Sequence, residues 1–188
     1  MKKFLVLAVL AVALIATPAM AGEGFYLGGY FSVNDISGDS AGAFGNSYIN
    51  SLDSGPGFGL RMGVGFNRYV SLQGSYFASV HSSDTYIDQD LTGLTLDLKL
   101  NFPLSNQKIE PYILAGIGSY ELGDASGTFD GGGVQFGIGL DIYFVPELSL
   151  NTGLTWRSIT FDSNDFGYLY DINADVTTFD IGLTYHFI

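Results

Sequence analysis

Two residues in this chain have the types and spacing for nucleophilic chemistry. His81 and Ser83 stand two positions apart. A serine hydroxyl becomes a nucleophile when a neighbouring base takes its proton, and an acid that orients the base completes the set. Asp84 or Asp88 would be the nearby acid. Serine is common in this chain, so the pair by itself is a loose filter, and a solvated loop start is the plainer reading. A second group is made of oxygen ligands. Asp84, Asp88 and Asp90, or Asp162 and Asp165, carry the carboxylates that hard divalent cations favour, but no segment has the twelve-residue EF-hand spacing. The expectation is therefore no catalytic centre, no resident metal and no cofactor.

A third group is charged residues embedded in otherwise apolar stretches: Arg61, Asp97, Lys99, Asp141, Arg157 and Asp180. Three positive and three negative groups, each flanked by large apolar neighbours, would form a balanced internal network if all faced one enclosed space. Buried charges need partners. Counting across the segment from Phe161 to Ala174 sets Arg157 opposite Asp180, which predicts an ion pair between them.

What positions these groups is a set of short alternating segments. Strand patterns fall near 24–33, 57–66, 69–80, 91–102, 111–121, 133–144, 148–160 and 175–187. In the second, Phe58, Leu60, Met62, Val64 and Phe66 share one face, and Gly57, Gly59, Arg61, Gly63 and Gly65 the other. In the fourth, Leu94, Leu96, Leu98 and Leu100 alternate with Thr95, Asp97, Lys99 and Asn101. The polar faces are crowded with Gly, Ser and Thr, which suits the inside of a narrow closed barrel. The aliphatic faces then point at lipid, where open sheet edges do not occur. This predicts an all-β fold, an eight-stranded antiparallel up-and-down transmembrane barrel. The phase of 111–121 stays open, because Ile113, Ala115 and Ile117 compete with Tyr112, Leu114 and Tyr120.

The N-terminus has the form of a secretory signal. Lys2 and Lys3 precede an apolar run from Phe4 to Ala16, and Ala19-Met20-Ala21 offers a cleavage site. That run is shorter than the roughly 20 residues a spanning helix needs. The expected organisation is a signal peptide over 1–21 and a barrel over 22–188. Cleavage removes two lysines and no acid, taking the net charge from −12 to −14. Charged residues make up only 14% of the chain and cysteine is absent, which leaves no disulfide framework. With so few basic residues, nucleic-acid binding is excluded.

The connections 34–56, 81–90, 122–132 and 161–174 read as long and polar, while those at Asn67-Arg68, 103–110 and 145–147 are shorter. Outer-membrane barrels pair long extracellular loops with short periplasmic turns, so both termini are expected on the periplasmic side. The long connections and strand tops carry thirteen acids, from Asp35 to Asp175, and no Lys or Arg.

Gly24-Phe25-Tyr26-Leu27-Gly28-Gly29, Pro111 to Gly118, Gly137 to Tyr143 and the closing Gly182 to Phe187 together resemble the outer-membrane β-barrel family that includes the small OmpA- and OmpX-like barrels. The resemblance implies a bacterial outer-membrane location among lipid and lipopolysaccharide. It also implies recognition by the outer-membrane assembly machinery through Tyr185 and Phe187, although Ile188 follows where such barrels usually end on an aromatic. The expected role is structural or surface interaction carried by the acidic loops. A narrow porin-like channel is the alternative. A further alternative follows from the His81/Ser83 pair, which is similar to that of eight-stranded lipid A deacylases and would make the chain a lipid A-modifying hydrolase.

Overall fold

The computed structural model describes residues 24–38, 49, 51–83, 88–104, 108–124, 127–164 and 172–187; the proposed signal peptide and its cleavage site lie outside them. Eight strands follow in order: β1 (Gly24–Gly38), β2 (Gly55–Asn67), β3 (Val70–His81), β4 (Gln89–Asn101), β5 (Ile109–Asp124), β6 (Gly127–Val145), β7 (Leu148–Asn164) and β8 (Ile172–Phe187). Each pairs antiparallel with its sequence neighbours. β1 pairs with β8 from Phe25↔Phe187 to Gly38↔Ala174, closing the barrel. Every strand is thus hydrogen-bonded on both edges, the condition lipid imposes on a β structure. Among the described residues no helix is long and apolar enough to cross a membrane.

The period-two pattern decides which side chains face where. Phe31, Phe58, Leu60, Leu94, Leu96, Ile117, Val134, Phe136, Phe179 and Leu183 stand outward and exposed, forming an apolar belt. In a water-facing barrel this belt would be an unmanageable patch; against acyl chains it is the matching surface. β5 takes the phase that puts Tyr112, Leu114, Tyr120 and Leu122 inside and Ala115 and Ile117 outside. Its lumen face is as apolar as its lipid face, which is why alternation alone does not resolve it.

Two ends of the barrel differ. At the terminus end, β2–β3 and β6–β7 turn through 68–69 and 146–147. Asn67 Oδ1 accepts from the backbone N–H groups of Tyr69 and Val70 at 2.8 and 2.9 Å, building an Asx-type turn. At the other end, called the loop end below, β1–β2, β3–β4 and β7–β8 are joined through 39–54, 82–88 and 165–171. The expected long connection over 122–132 is not one. β5 and β6 pair all the way to Asp124↔Gly127, leaving only 125–126 between them. Gly131 and Gly132, expected in that connection, lie with Gly133 inside β6. A side chain at Gly131 or Gly133 would run into the β7 backbone at Thr160 or Ser158, so glycine here serves close strand approach.

Candidate functional site

Among the described residues, charged and polar side chains converge in the lumen, which is built in two layers. The layer at the loop end is mostly apolar, with Ser79, His81 and Gln89 buried beside Leu91 on β3 and β4. Ile36 of β1, Ile49 and Leu52 from the first long connection, Leu91 of β4, Leu122 of β5, Phe129 of β6, Ile159 and Phe161 of β7, and Ile172 and Ala174 of β8 are all buried together. The 49–54 segment is held in place by backbone bonds from Leu52 N to Ile49 O and from Asp53 N to Ser82 O, and by a bridge between Leu52 and Ser83.

Beneath it lies the polar layer. Arg61 Nη2 meets Asp180 Oδ1 at 2.5 Å, and the Arg61 guanidinium sits 4.2 Å above the Tyr30 ring. Lys99 Nζ meets Asp141 Oδ2 at 2.6 Å and stands 4.0 Å from the Tyr112 ring centre. Asn151 donates to the other Asp141 oxygen, and Thr184 donates to Asn151. Arg157 stacks on Phe77 at 4.5 Å, donates through Nε to Gln135 Oε1 at 2.9 Å, and also donates to Thr178. Gln135 in turn donates to Asp97, which also accepts from Thr95 at 3.1 Å. Charge-assisted hydrogen bonds of this kind are the strong ones, and each buried charge here has at least one.

All six charged residues singled out in the sequence are buried on the lumen side. The pairing expected between Arg157 and Asp180 does not form. Arg157 stands opposite Val176 and Asp180 opposite Gly153, because β7 and β8 continue to pair up to Phe161↔Ile172 and so meet four positions out of the expected register. Asp180 goes instead to Arg61, which reaches past the intervening β1 from β2. The lumen also holds a fourth carboxyl group that the sequence expectation lacks, that of Glu110, 2% exposed. It is absent from the sequence expectation because Pro111 reads as a strand start, whereas β5 begins at Ile109. Ser71 Oγ, Asn101 Oδ1 and Glu110 Oε2, all near the terminus end, have no protein hydrogen-bond partner.

Aromatic rings fill the remaining space by lying on glycines of the next strand. Tyr30 covers Gly59, Tyr26 covers Gly63, Phe77 covers Gly93 and Tyr112 covers Gly139; a Cβ at any of these glycines would collide with the ring. Tyr26 stands opposite His186, as its position on the closing pair of strands predicts, with ring centres 5.5 Å apart. Ser149 Oγ lies 3.1 Å from the Nε2 of His186.

His81 and Ser83 do not form the candidate dyad, and His81 is not part of the solvated loop start expected there either. His81 is buried with Nε2 3.1 Å from Ser79 Oγ and Nδ1 2.9 Å from the Asp53 carbonyl. Ser83 Oγ donates to Ser51 Oγ at 3.3 Å. Residues two apart share a face only while the strand continues; β3 ends at His81, so Ser79 keeps the shared face and Ser83 leaves it. Of the carboxylates considered as metal ligands, Asp84 lies outside the described residues, as does Asp165. Asp88 and Asp90 are exposed, and Asp90 points outward from β4. Among the described residues no group of three His, Cys, Asp or Glu side chains could hold a metal ion.

A closed barrel of eight strands with a packed polar lumen and an apolar outer belt is the architecture of small outer-membrane proteins. The sequence matches the family described as outer membrane protein beta-barrel domain over residues 6–187. The chain belongs to this family. A search among curated proteins gives no match. Among solved structures, the barrel is similar to Neisserial surface protein A (TM-score 0.63, 17% identity, covering 87% of this chain and 97% of that one). It is also similar to OprG from Pseudomonas aeruginosa (TM-score 0.56, 16% identity, 90% and 97%). A third is Ail, the attachment invasion locus protein of Yersinia pestis (TM-score 0.54, 19% identity, 88% and 99%). At these identities the likeness concerns the fold, and the family match places the chain among outer-membrane barrels.

Proposed function

We propose that this barrel is a non-conducting outer-membrane protein whose role, structural or adhesive, is carried by its acidic loop end. The observation that carries this reading is the apolar layer across the lumen, from Ile36 and Leu91 to Phe161 and Ile172, between the polar network and the long connections. An ion crossing there would leave water with only the already hydrogen-bonded Ser79 and His81 beside a wall of apolar side chains, a step that costs several kcal/mol or more. The lumen of an eight-stranded barrel is only wide enough for side chains to fill.

The loop end faces outside the cell and both termini face the periplasm. Arg68 and Lys108 belong to the terminus end, while Asp35, Asp53, Asp88, Asp90, Glu121, Asp130, Asp162 and Asp175 are spread over the loop end without a basic residue among them. One of the structural neighbours, Ail, is also known in complex with the heparin analogue sucrose octasulfate. A polyanion of that kind would be repelled by the loop end of this chain; its complement is a basic partner, or lipopolysaccharide bridged by divalent cations. The assembly machinery reads the outward Tyr185 and Phe187, which lie edge to face at 5.0 Å on β8.

The test is electrical and then topological. Residues 22–188, refolded into a planar bilayer, give no discrete current steps; reproducible salt-dependent steps would overturn the reading and move transport through the Arg61–Asp180 region to the front. Exchange of 39–54, 82–88 and 165–171 for short turns abolishes surface binding while the barrel still folds. Unchanged binding and unchanged envelope integrity in that variant would remove the loops as the seat of function.

A further inference from the structure

Three oxygen atoms at the terminus end of the lumen have nothing in the chain to bond to. Ser71 Oγ, Asn101 Oδ1 and Glu110 Oε2 lack a hydrogen-bond partner, and their residues are 1%, 5% and 2% exposed. The register sets them on adjoining strands. Ser71 of β3 stands opposite Lys99 of β4. Asn101 is the next inward residue after Lys99 and stands opposite Tyr112 of β5. Glu110 is the next inward residue from Tyr112 toward the terminus end. Each step is a diagonal between neighbouring strands, a separation of about 7–8 Å that a small ligand between two side chains can bridge. Buried acceptors are normally met by a donor or an ion, so something outside the chain meets these.

The charges point to a cation. Glu110 and Asp141 are directly opposed across β5 and β6. Asp141 is compensated, with Lys99 on one oxygen at 2.6 Å and Asn151 on the other. Glu110 is not. Among the described residues the lumen buries four carboxyl groups, those of Asp97, Glu110, Asp141 and Asp180, against three Lys and Arg side chains. Arg61 is engaged with Asp180, and Arg157 with Gln135 and Thr178. The Tyr143 hydroxyl lies beside the Glu110 carboxyl but brings no charge. Two opposed carboxyl groups that share one base favour the uptake of a further positive charge. The donor set selects its class. One carboxylate oxygen with an amide oxygen and a hydroxyl is a hard-oxygen site of low charge. It differs from groups of three acidic or imidazole side chains that hold divalent metals, none of which occurs among the described residues.

We propose that the terminus-end mouth of the lumen binds one exchangeable monovalent metal ion of the sodium type. Glu110 Oε2 and Asn101 Oδ1 hold it directly, and Ser71 Oγ is reached through a water of its shell. The ion enters from the aqueous phase at the terminus end, which the orientation above makes the periplasm. By joining β4 to β5 below the Lys99–Asp141 pair, it completes the polar network at that end.

An ion that binds only the folded barrel shifts the unfolding equilibrium. Residues 22–188 are refolded into phosphatidylcholine vesicles and titrated with urea at pH 8.5, in 0.3 M NaCl or in 0.3 M choline chloride. Ionic strength is then equal, and protons compete little. For a site half-filled at about 0.1 M, sodium raises the folded-to-unfolded ratio about fourfold over choline. Glu110→Gln abolishes the difference, and Asp90→Asn, which removes an exposed carboxylate near the loop end, keeps it. Equal ratios in the two salts for the unmodified protein overturn the proposal and assign these oxygens to a proton or to buried water. A sodium effect that survives Glu110→Gln also overturns it, because exposed acids would then be its source. A heat-sensitive gel shift confirms folding of each variant. The comparison of salts in the unmodified protein stands even where Glu110→Gln fails to fold, and no outcome depends on whether the lumen conducts.

Discussion

Arg61 on β2 and Asp180 on β8 meet at 2.5 Å beneath β1, which separates their strands in the sheet. This contact ties the seam of the barrel, where the first and last strands join, to its second strand. Removing one partner leaves the other charge buried and unpaired. Asp180→Asn is therefore expected to lower unfolding stability by about 3–5 kcal/mol, whereas the double change Arg61→Met with Asp180→Leu loses much less. Urea titration of the refolded barrel in lipid vesicles measures both. A double variant as unstable as the single one would mean the pair matters for more than mutual compensation.

The fit of tyrosine rings over lumen glycines gives a second prediction. Tyr26 lies against Gly63 and Tyr30 against Gly59, so a methyl group at either glycine has to displace a ring in a packed interior. Gly63→Ala should cost about 1–3 kcal/mol by overpacking. Gly132→Ala, where an added Cβ meets only the Gly118 carbonyl at 3.9 Å, should be close to neutral. The temperature at which the gel shift is lost compares the two; similar losses would show that ring displacement is not the cause.

Leu91 and Leu94 stand three apart on β4 and face opposite ways. Leu91 is fully buried in the apolar layer, and Leu94 is 64% exposed on the belt. Leu91→Ala opens a hole that nothing fills, at about 2–5 kcal/mol. Leu94→Ala is cheaper in a bilayer, because acyl chains replace the lost contacts and are as apolar as leucine. Urea midpoints in vesicles should separate the two clearly. Equal costs would contradict the assigned faces.

How much of this was legible depends on how far apart in sequence the cause lies. The strands of Leu94 to Leu100 or Phe58 to Phe66 declare themselves, since a period of two is written in neighbouring residues. β5 does not, because Tyr112, Leu114 and Tyr120 line the lumen beside glycines and are as apolar as Ile113 and Ile117 on the lipid side. That Arg61, Lys99 and Asp141 face inward follows from local alternation. Which acid each base meets depends on the stagger between strands, and a four-position difference at β7–β8 was enough to send Asp180 to Arg61 instead of Arg157. The length of the β5–β6 hairpin was hidden for a related reason, since a glycine run signals a turn locally and close strand approach only in the context of β7.

The terminal aromatics give a kinetic prediction. Phe187 lies 5.3 Å from Phe25 across the seam and 5.0 Å from Tyr185, all on the outer surface. If Tyr185 and Phe187 are the recognition signal, Tyr185→Ala with Phe187→Ala slows insertion catalysed by the assembly machinery several-fold. Spontaneous folding into thin detergent-destabilised vesicles changes little by comparison. Equal slowing in both assays would assign the aromatics to barrel closure alone.

Glu121 and Asp130 face each other directly across β5 and β6, both exposed on the outward side near the loop end. Like charges at directly opposed strand positions repel, and opposite charges there contribute about 0.2–1 kcal/mol. The extended hairpin therefore carries a small electrostatic penalty that salt should relieve, because exposed charges are screened within about 10 Å at 0.1 M. Asp130→Lys is expected to stabilise the barrel by up to about 1 kcal/mol at low ionic strength and to reverse the sign of its salt response at this site. The measurement is the urea midpoint at 10 mM and 500 mM NaCl for both proteins. A lysine variant less stable than the original at low salt would show that the acidic pair is held by something other than the strand register, with a bound cation the first candidate to titrate.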